Sequence, residues 1–374
     1  MKDDDTLHEF TIDTLVMQAF FNSGAKWPKG FRAACKGFRA IANSGVRKLR
    51  LGHAYDDELG HLDYDYHDEQ LTVVPSRFPN LQELTMEDTC VTDVGALAGL
   101  SKLTRLSLRF SKSLVDVGML YGLTNLTDLN LRFSKSLVDV GPLKDLTALI
   151  SLNLGYTKVV DLPPLAALTA LTSLDLRGTK VFDVGPLKDL IAMTSLNLRY
   201  TKVFDVGPLK DLTKLANLYM CDTKVADVGP LKDLTALTHL DLRDTKVVDL
   251  GPLKDLTALT SLDLNETRAV DWGPLKDLTA LVILSLCGTN VFDVGSLKDL
   301  AALTILDLSY TMVVDVGPLK DLTALTSLDL DDTNVCDVGP LKDLTALVSL
   351  SLSGTNVFDV GPLKDLTALT HLYM

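Results

Sequence analysis

The sequence predicts an α/β solenoid with a parallel β-sheet on its concave face, short 3₁₀ or α turns on its convex face and a helical N-terminal cap. Two observations predict this fold class. A unit of 22 residues, lengthened to 23 at two steps, repeats from residue 81 to the end of the 374-residue chain. Each unit carries apolar residues, mostly leucine, in the spacing LxxLxL, and the full units add a second run of spaced apolar residues.

One unit predicts one strand and one turn of a coil. Residues 171–192 read LTSLDLRGTKVFDVGPLKDLIA, in which Leu174 and Leu176 alternate with polar residues as in a strand that buries one face. Stacked strands of this kind form a parallel sheet. Proline suits the first position of a helix, so the Gly185–Pro186 pair predicts a single 3₁₀ or α turn over PLKDL. The inward positions of this unit are Leu171, Leu174, Leu176, Val181, Val184, Leu187 and Leu190.

Two polar positions recur in the units. A threonine follows the strand, as in Thr157 and Thr355, and we expect its hydroxyl to bond backbone groups of the turn and of the neighbouring coil. An aspartate recurs from Asp93 to Asp359. We expect it to accept turn hydrogen bonds and to be neutralised by a nearby lysine, as in Lys246 and Asp249. Calcium binding at this position stays open, although a calcium site needs several converging oxygen ligands.

The array resembles a known repeat class. A period of roughly 20–29 residues with LxxLxL is typical of leucine-rich repeats, and residues 81–374 resemble the 22-residue class found in internalins and in a phosphatase-1 regulatory subunit. The resemblance implies a solenoid fold and does not decide the function. Threonine stands where many members have asparagine, and function depends on surface residues rather than on the scaffold.

The segment before the array divides into two parts. Residues 1–45 contain two stretches of helical apolar spacing, 11–22 and 31–42, and predict a cap over the open end of the solenoid. Residues 46–80 predict a first irregular coil, with 46–51 as the first strand. Residues 53–70 form an acidic insertion with three histidines, for which a solvated loop is favoured over a metal site.

Part of the cap resembles the second half of an F-box. The residues that carry the resemblance are Cys35, Lys36, Phe38 and Arg39, which stand just before the first leucine-rich strand. The resemblance implies an adaptor that recruits targets to a ubiquitin ligase through a Skp-type subunit bound at these four residues. The leucine–proline pair that opens an F-box is missing upstream.

The units differ from one another mainly at the two positions after LxxLxL and at the outward residue of the strand. These positions line the concave surface, where solenoids bind partners. Arginine and aromatic residues, which are typical interface anchors, concentrate there in the N-terminal half. The sequence therefore predicts that a protein or peptide binds at Arg109, Phe110, Arg132, Phe133, Tyr156, Arg177, Arg199, Tyr200, Tyr219 and Arg243.

Composition and missing motifs narrow the function classes. A net charge of −13 argues against general nucleic-acid binding, which relies on clustered Lys and Arg. No apolar run reaches the roughly 18 residues that a membrane span needs, and no catalytic or phosphate-binding motif is present. The five cysteines form no close pair. We expect a cytoplasmic, non-enzymatic protein without a cofactor, metal or membrane partner, and keep a surface adhesin as a further alternative.

Overall fold

The computed structural model describes residues 9–11, 46–51, 71–72, 74–87 and 89–374. For residues 9–11 and 51 only the backbone is described. The chain divides into two compact units, Met1–Val181 and Phe182–Met374, here called unit 1 and unit 2. Each unit is built from repeated coils.

In the described part of unit 1, parallel strands pair in sequence order. From Glu83 onward the paired residues are 22 or 23 positions apart, which keeps equivalent leucines in register, as in the pair Leu152 and Leu174. The strands are β1 (Glu9–Thr11), β2 (Lys48–Leu51), β3 (Glu83–Met86), β4 (Arg105–Ser107), β5 (Asp128–Asn130), β6 (Ser151–Asn153) and β7 (Ser173–Asp175). A short helix α1 (Val74–Arg77) precedes β3, and 3₁₀ helices follow β3 to β6 at Gly95–Gly99, Gly118–Gly122, Gly141–Asp145 and Pro163–Ala167.

Unit 2 repeats the same coil with the same parallel pairing. Its strands are β8 (Ser195–Asn197), β9 (Asn217–Tyr219), β10 (His239–Asp241), β11 (Ser261–Asp263), β12 (Ile283–Ser285), β13 (Ile305–Asp307), β14 (Ser327–Asp329), β15 (Ser349–Ser351) and β16 (His371–Tyr373). Its 3₁₀ helices are Gly185–Leu187, Gly207–Leu209, Gly229–Leu231, Gly251–Leu253, Gly273–Asp277, Gly295–Leu297, Gly317–Leu319, Gly339–Leu341 and Gly361–Asp365.

The core is aliphatic, as the repeat predicts. All seven inward positions of the repeat at residues 171–192 are buried. The proline-initiated turn is a 3₁₀ helix with its leucine buried, so the predicted convex turn is confirmed. Because each coil buries aliphatic residues of nearly constant size, its neighbour stacks on it with little change of register.

The recurring threonines and aspartates hold the turns. The hydroxyl of Thr245 donates to the Leu242 carbonyl at 2.6 Å, and the equivalent threonines from Thr157 to Thr355 do the same in their own coils. The Asp139 carboxylate accepts the N–H of Gly141 at 2.7 Å, and eleven further aspartates of this position make the same contact. The predicted lysine partner is not found at Asp249, since no ion pair joins Lys246 to it within the described residues.

Strand β2 covers residues 48–51, inside the predicted strand 46–51, but it is not the first strand of the sheet. Strand β1 precedes it, and Phe10 lies opposite Leu49 in parallel register. Thr11, the first residue of the predicted helix 11–22, therefore ends a strand. The open edge of β2 explains this outcome, because its backbone groups offer hydrogen bonds to any extended segment. The remainder of the predicted cap and the insertion 53–70 lie outside the described residues.

No helix in the described ranges is both long enough and apolar enough to cross a membrane.

Candidate functional site

The candidate site lies on the side of the sheet that points away from the core, here called the strand face. In unit 1 the outward residue Asp175 stands between the buried Leu174 and Leu176, and Arg177 follows on the same side. Three neighbouring rows thus run along the strand face: the outward strand residue and the two residues after the LxxLxL pattern. The predicted partner-binding residues belong to these rows.

The outward strand residues also shape the backbone of the site. In unit 1 the side-chain oxygens of Asn130, Asn153 and Asp175 each accept the backbone N–H two residues further on, at 2.9–3.0 Å. Unit 2 repeats the contact at Asn197, Asp241, Asp263, Asp307 and Asp329. Asparagine and aspartate form such turns readily. Sequence reasoning assigned these residues to the binding surface alone and missed this turn-forming role.

The second residue after LxxLxL has a left-handed backbone in the described coils from Phe110 onward. Phe110, Phe133 and Tyr156 have φ of 61°, 64° and 58°, and Gly178 has φ of 67°. Their backbone N–H groups, where given, bond the next coil, as from Phe133 to the Gly155 carbonyl at 2.8 Å. Consecutive side chains at this position are therefore held one coil apart and aimed alike.

In unit 1 this geometry produces a stack of three rings, here called the aromatic ladder: Phe110, Phe133 and Tyr156. The ring centroids of Phe110 and Phe133 are 4.7 Å apart, and those of Phe133 and Tyr156 are 4.6 Å apart. The rings are nearly parallel, at 9° and 6°. The ladder ends at Gly178, where an added Cβ would lie 2.6 Å from the Tyr156 ring.

Arginines from the preceding position lie over the ladder. The guanidinium carbon of Arg132 lies 4.7 Å from the Phe133 centroid and 5.5 Å from that of Tyr156. Arg109 lies over Phe110 at 5.2 Å, and Arg177 lies over Tyr156 at 5.5 Å. Each distance is within the range of a cation–π interaction. The structure thus brings six of the predicted residues together in unit 1.

Arg109 and Arg132 differ in whether a carboxylate neutralises the guanidinium charge. Arg109 lies 3.6 Å from the Glu87 carboxylate. Among the described residues no carboxylate forms an ion pair with Arg132, and its Nε is buried without a hydrogen-bond partner. Arg132 therefore carries a charge that aromatic faces stabilise and that no described acid neutralises.

In unit 2 the predicted arginines are already paired. Arg199 donates to the buried Asp241 carboxylate at 2.6 and 2.8 Å while lying 4.4 Å from the centroid of Tyr219. Arg243 lies 3.8 Å from Asp241 and 3.9 Å from Asp263. Tyr200 is exposed, with φ of 59°. The Asp241 partner of Arg199 is 42 residues away in the sequence, and sequence reasoning missed the pair.

Further along unit 2 the strand face becomes acidic. Burial raises the pKa of the Asp263 carboxyl. Burial, followed by the charges of Asp331 and Asp307, raises the pKa of the Asp329 carboxyl. Asp307, Asp329 and Asp331 are close enough for their negative charges to repel one another, so this part of the face disfavours anionic partners.

No family model and no curated protein matches the chain. Solved structures do match. An internalin of Listeria monocytogenes, inlF, has a TM-score of 0.75 at 25% identity, over 91% of this chain and 94% of that chain. The leucine-rich repeat protein LIC12759 of Leptospira interrogans has a TM-score of 0.69 at 19% identity, over 90% of this chain and 97% of that chain. The fold is a leucine-rich repeat solenoid. TLR13 in complex with ssRNA13 also matches, with a TM-score of 0.62 at 19% identity over 87% of this chain and 57% of that chain.

The other candidate sites predicted from the sequence are the F-box-like residues and a possible metal site. The F-box-like residues Cys35, Lys36, Phe38 and Arg39, and the three histidines of the acidic insertion, lie outside the described residues. In the ranges that the structure describes, no group of three or more His, Cys, Asp or Glu residues could hold a metal ion. The aromatic ladder with its arginines is therefore the candidate site that the geometry supports best.

Proposed function

We propose that the chain is a non-enzymatic protein-binding module, and that the aromatic ladder of unit 1 binds an acidic segment of a protein or peptide. The observation that carries the proposal is Arg132, whose guanidinium lies over Phe133 and Tyr156 without a carboxylate partner in the described residues. An aspartate or glutamate of a partner would supply the missing charge.

The physical basis is preorganisation. Arg132 lies against two rings, so less side-chain entropy is lost on binding than for a free arginine. Charge-assisted hydrogen bonds to carboxylate are about twice as strong as neutral ones. Aromatic and arginine residues are also enriched among the side chains that dominate binding energies. Arg109, Phe110 and Arg177 extend the same surface along the coils.

The fold does not decide the ligand class, because the similar structure of TLR13 is a complex with a single-stranded RNA. The charges on the strand face are the better guide. A polyanion needs a run of cations. The described strand face of unit 2 instead carries the neighbouring carboxylates Asp307, Asp329 and Asp331. A short acidic peptide needs only the local arginines, so we favour it over nucleic acid.

The proposal is tested by selecting peptides from a random display library on the full chain and measuring their affinities by fluorescence anisotropy. We expect enrichment of Asp and Glu, and a loss of affinity of at least about 10-fold in Arg132→Ala. Arg105→Ala is the matched control, since Arg105 is exposed on β4 and paired with Glu83 and Asp128. Equal losses in both variants, or preferred binding of a labelled single-stranded RNA, would contradict the proposal.

The unit 2 residues Arg199, Tyr200, Tyr219 and Arg243 stay predicted partner-binding residues. Because Arg199 and Arg243 already lie near carboxylates, we expect them to add less charge recognition than Arg132. Alanine at Arg199 and Tyr200, measured with the same selected peptides, tests whether the binding surface includes them.

Two alternatives keep their own tests. The adaptor role is supported by the F-box-like residues Cys35, Lys36, Phe38 and Arg39, and predicts co-elution of the full chain with a Skp-type protein at micromolar concentration. The adhesin role is supported by the likeness to the Listeria internalin, and predicts the chain in a surface fraction rather than the proposed cytoplasm.

A further inference from the structure

A row of apolar side chains is exposed along unit 2, away from the strand face. It occupies the position before the recurring aspartate of each turn, for example Phe204 before Asp205. We call this row the apolar stripe: Phe182, Phe204, Ala226, Val248, Val270, Phe292, Val314, Cys336 and Phe358. Its phenylalanines and valines are 46% to 94% exposed. A contiguous exposed apolar patch of this kind marks an interaction site more often than a neutral surface.

Two charged rows flank the apolar stripe. Two positions before the stripe residue stand exposed cations in four coils, at Lys202, Lys224, Lys246 and Arg268, whereas the later coils have Asn or Met there. Directly after the stripe stand exposed aspartates from Asp183 to Asp359. Within the described residues no ion pair joins the two rows. One carboxylate oxygen of each aspartate accepts a glycine N–H, as at Asp205 and Gly207, which leaves the second oxygen for another donor.

We propose that the apolar stripe binds a second copy of this chain. The stripe and its two charged rows are self-complementary. A twofold axis parallel to the stripe places each copy's lysine row against the other copy's aspartate row, with the apolar side chains between them. The alternative axis, across the stripe, would oppose lysine to lysine and aspartate to aspartate. An isologous interface therefore opposes unlike charges only when the two chains run parallel, and it does so in the four coils that carry a cation.

The area of the apolar stripe indicates what kind of dimer to expect. Nine coils spaced about 4.8 Å apart give a stripe about 40 Å long, and the width from the lysine to the aspartate row is about 15 Å with side chains. Each copy would bury about 600 Å², which is at the lower end of specific interfaces. Weak and transient complexes are found at this end of the range, so we expect a reversible dimer with a dissociation constant on the order of micromolar.

The first test measures the mass of the full chain by sedimentation equilibrium from about 1 to 200 µM. We expect a concentration-dependent dimer, and a dissociation constant about 100-fold higher in the double variant Phe204→Ser, Phe292→Ser, because four exposed rings leave the interface. The matched control is Ile283→Ser, Ile305→Ser, which removes two exposed apolar residues from β12 and β13 on the strand face. A monomer at all concentrations, or equal weakening by the control, overturns the proposal.

The second test uses Cys336, which lies in the apolar stripe itself and is exposed. A parallel twofold dimer places Cys336 opposite the same residue of the other copy, within reach of a short bis-maleimide. We expect a covalent dimer of the full chain that disappears in Cys336→Ser and in the double phenylalanine variant. A sedimenting dimer that gives no Cys336-dependent cross-link would overturn the parallel arrangement.

Discussion

Aromatic residues in a left-handed backbone are the least expected feature of single residues here. That conformation costs a non-glycine residue about 1 kcal/mol or more. Gly288 and Gly354 occupy the equivalent position in unit 2, so the coil itself does not need a ring there. Stacking returns about 0.5–1.5 kcal/mol per pair, which offsets the strain at Phe133 and Tyr156. The aromatic ladder is thus a property of the surface, consistent with the proposed binding role.

The carboxyl of Asp329 is a second single-residue feature with a testable effect on stability. Its pKa is raised by burial and by neighbouring carboxylates, so at neutral pH its charge destabilises the fold. Asparagine keeps the turn, since Asn197 accepts the same backbone hydrogen bond in unit 2. We expect Asp329→Asn to raise the thermal unfolding midpoint at pH 7.

The pH dependence supplies the control. A group with a raised folded-state pKa binds more protons in the folded chain, so the destabilisation fades as the pH falls through that pKa. The midpoints of Asp329→Asn and the parent chain should therefore converge near pH 4 and below. A difference that is independent of pH would refute the charge explanation.

The 3₁₀ turns offer a natural comparison between two elements of unit 1. Asp139 accepts the Gly141 N–H, whereas the residue two positions after Asp161 is Pro163, which has no N–H. We expect Asp139→Ala to lower the free energy of unfolding by about 1 kcal/mol. Asp161→Ala should change it much less. Urea titrations of the two variants measure the difference, and equal effects would mean that the hydrogen bond to glycine contributes little.

The structural elements divide into those that the sequence predicts and those that it does not. The strands, the 3₁₀ turns and the core were predictable because LxxLxL and the glycine–proline pair recur at a fixed period. The arginines and rings of unit 1 were predictable as variable positions. The pairing of Arg199 with Asp241 was not, because it spans 42 residues. The left-handed backbone at the second residue after LxxLxL was not predictable either, because Phe and Tyr do not indicate a positive φ.

At the scale of the whole molecule, a solenoid is stabilised mainly by contacts between neighbouring coils. A residue's contribution therefore depends on its coil as much as on its chemistry. The stretch from β15 to β16 shows this dependence. Leu350 of β15 is fully buried, while Leu372, its registered partner in β16, is 40% exposed. Both occupy the same position of LxxLxL.

We therefore expect Leu350→Ala to destabilise the array by about 2–5 kcal/mol, the range for a buried leucine. Leu372→Ala should cost less than about 1 kcal/mol, because much of its surface already meets water. Hydrogen exchange measures both effects locally: the Leu350 variant should speed amide exchange in β14 and β15, and the Leu372 variant in β16 alone. Equal effects would mean that the array unfolds as one cooperative block, in which coil position no longer matters.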